Sequence, residues 1–99
     1  MELIETPNAL GEKNKHVQKA LSFGKTKVVN IQLQAGEKIA EHYSAADVII
    51  IVRSGKVSFD VEGQTVEVSP DNILHMDPKE KHSLTAIEPS DLLVLQITS

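Results

Sequence analysis

Cysteine is absent from all 99 residues. That excludes disulfides, thiolate nucleophiles, cysteine-based zinc clusters and thiol redox switches together. It fits a reducing compartment. Aromatic residues are scarce, at 3% of the chain. Tyr43, Phe23 and Phe59 are the whole supply, so platforms for stacking sugars or bases are few. Phe59 reads as core. No apolar run approaches the ~20 residues that a membrane-spanning helix needs. The opening stretch MELIETPNALGEKNK lacks the basic start and apolar run of a signal peptide. A soluble cytoplasmic protein with no membrane partner is the expectation. There is also no Gly-rich phosphate loop and no serine set in a nucleophile elbow.

The composition that is present is ordinary, 40% hydrophobic and 24% charged. Ninety-nine residues make one small domain. Its core is thin, which makes subunit association a natural source of extra stability. The net charge is -4. A nucleic-acid binder shows a clustered basic surface, whereas here the basic residues are spread along the chain. A mild concentration at Lys13, Lys15, Lys19, Lys25 and Lys27 reads as a solvated segment rather than a phosphate-binding face. No nucleic-acid partner is expected.

Residues 1–24 are the least patterned. Leu3 and Ile4 suit a short edge strand. Val17, Ala20 and Leu21 follow the i, i+3, i+4 spacing of a short amphipathic helix, which Gly24 would stop. From Lys25 onward the period becomes two. Val29, Ile31 and Leu33 alternate with Asn30, Gln32 and Gln34, as in a strand with one buried face. Further strands are expected over 39–43, 47–53, 56–62, 65–68, 73–77, 82–87 and 92–98. The turns between them carry Gly, Pro, Asn, Asp and Ser. Many short strands and almost no helix predict an all-β sandwich or barrel. The segments Asp47–Arg53 and Leu92–Thr98 are apolar on both faces, through Ile49, Ile51, Leu93 and Leu95 as well as the inward set. A strand apolar on both faces is covered on both. The expected covers are the N-terminal helix over one such strand and a second subunit over the other, packed as a homodimer.

The stretch Gly36 to Gly55, GEKIAEHYSAADVIIIVRSG, carries a resemblance. Its spacing resembles the first motif of the cupin family, G-x5-H-x-H-x3-E-x6-G. Gly36, His42 and Gly55 fall in register, while Ser44 stands in the second histidine slot and Val48 in the glutamate slot. The family's second motif, roughly G-x5-P-x-G-x2-H-x3-N, places His82 on its histidine. Asp71, Asp77, Lys79 and Ala86 then fill the other slots, with Pro78 one position late. The resemblance covers about residues 26 to 97. It implies a cupin-like jelly-roll β-barrel over 25–99, with 1–24 as an arm carrying the short helix within the same domain.

In metal-binding cupins, three histidines and a glutamate hold a divalent ion inside the barrel. The resemblance therefore implies that His42 and His82 line the interior. Ser44 is a poor ligand and Val48 cannot ligate, so the pair would hold a divalent metal weakly and no cofactor is firmly implied. On its strand His75 is expected to face outward, opposite Leu74 and Met76. His16 reads as solvated. Asp47, next to the glutamate slot, would need a local bulge to swing inward. The leading expectation is a small-molecule-binding or sensing module that uses His42, Ser44 and His82. The first alternative is a metal-dependent cupin enzyme of isomerase, dioxygenase or decarboxylase type, with His75 or Asp47 completing a reduced ligand set. The second is a structural or interaction protein that uses its outer apolar faces.

Overall fold

A computed structural model describes all residues, Met1–Ser99. Nine strands and no helix build it: β1 Lys15–Phe23, β2 Thr26–Leu33, β3 Lys38–His42, β4 Asp47–Ser54, β5 Val57–Val61, β6 Gln64–Val68, β7 Ile73–Met76, β8 His82–Ala86 and β9 Ser90–Ile97. They form two antiparallel sheets. The five-stranded sheet runs β1-β2-β9-β4-β7 and the four-stranded sheet runs β3-β8-β5-β6. Apart from the hairpins β1-β2 and β5-β6, neighbouring strands are distant in sequence, as in a jelly roll. The all-β, jelly-roll expectation is met.

The core lies between the sheets, and strict alternation places it there. Val48, Ile50 and Val52 of β4 are buried, as are Leu92 and Val94 of β9, while Ile49, Ile51, Leu93 and Leu95 are half-buried on the other face. Phe59, Leu33 and Val57 are fully enclosed. Burying a ring the size of Phe59 contributes about 2–3 kcal/mol.

The N-terminal region departs from expectation in two ways. Leu3 and Ile4 belong to no strand. The segment read as a helix is β1, paired with β2 from Lys15↔Leu33 to Phe23↔Thr26. The physical reason is a β-bulge. The register shifts between Lys19 and Leu21, so an extra residue, Ala20, sits between two alternating runs. That insertion turns a period of two into a spacing that imitates a helical face. Pairing also protects the edge that β2 would otherwise expose.

Covering of the outer sheet face does occur, by extended chain rather than helix. Gln32 and Asn30 lie on that face yet are 1% and 0% exposed. The Ala9 amide donates to Gln32 Oε1 (2.8 Å), and Gln32 Nε2 donates to Pro7 O and to Asn30 Oδ1 (both 2.9 Å). Asn30 Nδ2 donates to Asp91 Oδ1 at 2.6 Å. Asp91 receives both Nη2 contacts of Arg53 at 3.0 and 2.8 Å, and Arg53 Nη1 donates to Thr6 Oγ1 at 2.9 Å. Arg53 is the sole arginine of the chain, and its planar fork places Nη2 on the Asp91 carboxylate and Nη1 on Thr6. The network spans β2, β9 and β4 and straps residues 6–9 across the sheet.

Two turns explain the motif glycines. Gly36 has φ 85° and Gly55 has φ 88°, a region that L side chains avoid. Around Gly36 there is open space, but a Cβ on Gly55 would sit 2.8 Å from Ser90 Cα and closer still to Ser90 Oγ and Pro89 O. Gly55 therefore lets the β4–β5 hairpin close against the start of β9.

Candidate functional site

His42 ends β3 and His82 begins β8, and the two are cross-strand partners. A bulge decides where His42 points. Lys38↔Thr85 and Ile39↔Leu84 are in one register, and His42↔His82 is in the next. One extra residue on β3 thus moves His42 onto the face shared by Ile39, His82 and Leu84. Without it, His42 would face away from the barrel. The ring centroids are 4.2 Å apart with the planes at 62°, an edge-to-face arrangement.

Both rings are held in the same way. His42 Nδ1 lies 2.9 Å from Ala40 O, and His82 Nδ1 lies 3.1 Å from Glu80 O. A carbonyl oxygen only accepts, so each Nδ1 carries its hydrogen and donates. In the neutral ring this leaves the Nε2 lone pair free. His82 is 5% exposed. Burial pushes its pKa below 6.5, and the neighbouring His42 pushes the same way. The hydrogen bond to the Glu80 carbonyl and the Glu80 charge oppose this, but burial dominates. His82 is therefore a neutral acceptor at neutral pH.

The pair closes one end of a cavity of about 90 Å³ between the sheets. Its walls are apolar, with Ile50, Phe59, Leu84 and Val94 among them, and its remaining polar lining residue is Gln96. That volume is room for about three waters at ~30 Å³ each. Only a small group enters. The sequence reading passed over Gln96. The available signal was that β9 turns Leu92 and Val94 inward, so position 96 continues the same row.

Ser44 does not line the histidine cavity. It lies in the β3–β4 loop, where its Oγ accepts from the Ala46 amide at 3.1 Å, and it lines a separate groove. Asp47 and His75 lie on the outer face of the five-stranded sheet, since Val48 and Met76 take the inward positions. His75 Nε2 and Asp47 Oδ1 are 2.8 Å apart. One donor atom each from Asp47, His75 and Asp77 gather within 4.8 Å on that outer surface. His75 faces outward as expected, and neither His75 nor Asp47 can complete a ligand set with His42 and His82. That correction follows from period-two geometry. His16 is half-buried on the outer face of β1, with Lys13 Nζ 3.4 Å from its Nδ1.

The cupin domain model matches residues 29–98. The chain belongs to the cupin family. Solved structures share its fold at low sequence identity. An RmlC-like cupin with a double-stranded β-helix fold from Methanocaldococcus jannaschii superimposes with a TM-score of 0.85 at 22% identity, covering 99% of this chain and 91% of that one. A Streptococcus pyogenes protein of unknown function gives 0.83 at 16% identity, with 100% and 96% coverage. The cupin domain of an XRE family transcriptional regulator from Enterobacter cloacae gives 0.76 at 17%, with 88% and 99% coverage. A search of curated proteins returns no significant match.

Measured against the metal-binding pattern of that family, the donor set of this cupin falls short. Two imidazoles face the cavity. The glutamate slot holds Val48, 3% exposed in the core, and Ser44 is turned to another groove. Tight sites use three or four protein ligands, so these residues do not fit a firmly held divalent ion.

Proposed function

We propose that this cupin binds a small polar molecule reversibly, as a recognition or sensing module, with His42 and His82 as the recognition groups. The observation that carries it is the matched pair of imidazoles. Each has Nδ1 spent on a backbone carbonyl, which leaves Nε2 free in the neutral ring, and both line one small, mostly apolar cavity, with His82 buried and His42 exposed at its edge. Such a site receives a hydroxyl or N–H group of a ligand, and at buried His82 the apolar walls strengthen that hydrogen bond by limiting water. Two donors are too few for a resident metal to do chemistry. The occurrence of a cupin domain within a transcriptional regulator supports a binding role without turnover at the level of fold only. We also infer a homodimer, from the apolar side chains that the arm leaves uncovered on the outer sheet face, Ile73 at 70% and Ile97 at 36% exposure.

The test is a thermal melt of untagged protein with small alcohols, polyols and hydroxy acids, and separately with Mn, Fe, Ni, Zn and Cu. A ligand that binds only the folded state raises the melting temperature. The expected result is a rise with a hydroxyl-bearing compound that is lost in both His42→Ala and His82→Ala. Near-stoichiometric metal in the purified protein, removed by either substitution, would overturn the proposal in favour of a metalloenzyme.

A further inference from the structure

A second depression opens beside the histidine cavity and shares a wall with it. It is a groove of about 330 Å³ bounded by the β1–β2 turn, the β3–β4 loop and the end of β9. Gln96 lines both spaces. Sheet register builds the floor. Ser22 pairs with Lys27 and Lys27 pairs with Gln96, so the three form one row across β1, β2 and β9 on the inward side. Gly24, at φ 52°, tightens the turn that presents Lys25. The Thr98 amide and hydroxyl both donate to Lys25 O, at 2.9 and 3.2 Å, and hold that turn in place. The Ser44 hydroxyl forms the opposite bank.

The charge of this groove runs against that of the chain. The protein carries 14 acidic residues and a net charge of -4, yet no carboxylate lines the groove and two lysines do. Neither lysine ammonium takes part in an ion pair or side-chain hydrogen bond. The other depressions differ. One is lined by Asp91 and another by Glu12 beside Lys13. Lys25 and Lys27 read in sequence as part of a solvated run; the β1–β2 hairpin sets both beside one hollow that Ser22 and Ser44 also line.

We propose that this groove is an anion subsite and that the ligand of the barrel is a small organic anion, a carboxylate or phosphate ester. Its charged group sits between Lys25 and Lys27, hydrogen-bonded by the Ser22 and Ser44 hydroxyls. Its uncharged polar end passes Gln96 and reaches Nε2 of His82. The assignment of that second end rests on the binding role proposed above. Charge-assisted hydrogen bonds from two ammonium groups account for about a tenfold gain in affinity each.

The experiment is an amide and histidine-ring NMR titration of the full chain with inorganic phosphate, with succinate, and with the neutral butane-1,4-diol. The expected result is saturable shifts of the Gly24–Lys27 and Ser44–Ala46 amides with an anion and none with the diol. In Lys25→Gln/Lys27→Gln, whose spectrum should otherwise match the parent, the anion affinity falls by about a hundredfold. Raising salt to ~0.5 M weakens binding to the parent protein in the same direction. A response to phosphate alone or to succinate alone supports the subsite and names its head group. Absence of groove shifts with both anions, or shifts that survive in the double variant, overturns the subsite. The histidine-ring signals report separately. If they respond to the diol while the groove stays silent, the cavity reading stands and only the anion subsite fails.

Discussion

Replacing Gly55 and Gly36 by alanine separates two roles that one motif hides. Both glycines have nearly the same backbone, φ 88° and 85°. A Cβ in that region costs about 1–2 kcal/mol at either position. Nothing else is near Gly36, so Gly36→Ala should lose only that amount. At Gly55 the new methyl meets Ser90 Cα at 2.8 Å and crowds Pro89 O and Ser90 Oγ. Ser90 has little room to give, since it is 1% exposed and its hydroxyl is fixed by the Lys56 amide at 3.1 Å and Glu88 O at 2.7 Å. Overpacking against such a residue adds about 1–3 kcal/mol. Loosening the Ser90 hydrogen bonds adds about 1 kcal/mol. The total for Gly55→Ala is about 3–6 kcal/mol, a large share of the ~5–15 kcal/mol that holds a small domain. Urea unfolding followed by circular dichroism measures both variants. Losses equal within ~0.5 kcal/mol would refute the claim that contact with Ser90, rather than backbone conformation alone, demands glycine at position 55.

Three further outcomes follow from the same geometry. The folded state holds the His82 pKa below 6.5, so the unfolded chain takes the proton first as pH falls. The stability due to neutral His82 is complete above 6.5 and is lost as pH drops toward the folded value, by at most about 1.4 kcal/mol per pH unit. Urea midpoints of parent and His82→Gln between about pH 5.5 and 7.5 should show the flatter slope in the variant, and equal slopes would contradict burial as the cause. Gln32→Leu removes the partners of the Ala9 amide, Pro7 O and Asn30 Oδ1; a loss of about 2–4 kcal/mol with faster hydrogen exchange at Ala9 is expected, and unchanged protection there would mean the strap is held by other contacts. Ile73→Asp should convert a homodimer to a monomer in analytical ultracentrifugation, and a parent protein that is already monomeric would remove the outer sheet face as an interface.

Legibility in the sequence followed the range of the interactions. The strands from Val29 to Ile97 were visible because a side-chain period of two is a local property, and Gly, Pro and Asp at the turns are local too. The same logic placed Val48, Ile50 and Val52 inward and His75 outward. It failed at β1, where Ala20 sits as an extra residue in the pairing with β2. A bulge has no local signature beyond the broken alternation it causes, and that broken alternation is also how a helix face looks. The cover over Ile49, Ile51, Leu93 and Leu95 was expected from their double-sided apolarity. Its chemistry, an Asn30–Gln32–Asp91–Arg53 network that is buried at Asn30 and Gln32 and reaches solvent at Arg53, joins residues up to 61 positions apart and could not be read from any one segment.

The candidate site shows this most sharply, because its two halves depend on a second bulge. His42 was placed inside by its position in a motif, but spacing alone does not determine a face. From Ile39, strict alternation would turn His42 outward; the extra residue on β3 turns it inward against His82. Ser44 was then expected to share the face of His42, two positions on. The strand ends at His42, however, and the loop carries Ser44 to the groove beside Lys27. Lys27 and Gln96 were silent in sequence for the complementary reason. Each is the polar continuation of an inward apolar row, Val29–Ile31–Leu33 and Leu92–Val94, and such a residue is recognisable only when both rows are known to end at the same mouth. Their pairing across β2 and β9 brings them together. The chemistry of the barrel mouth is thus set less by motif residues than by where the inward rows stop being apolar. In a jelly roll, that is the place to look for ligand contacts when the metal-ligand slots have been replaced.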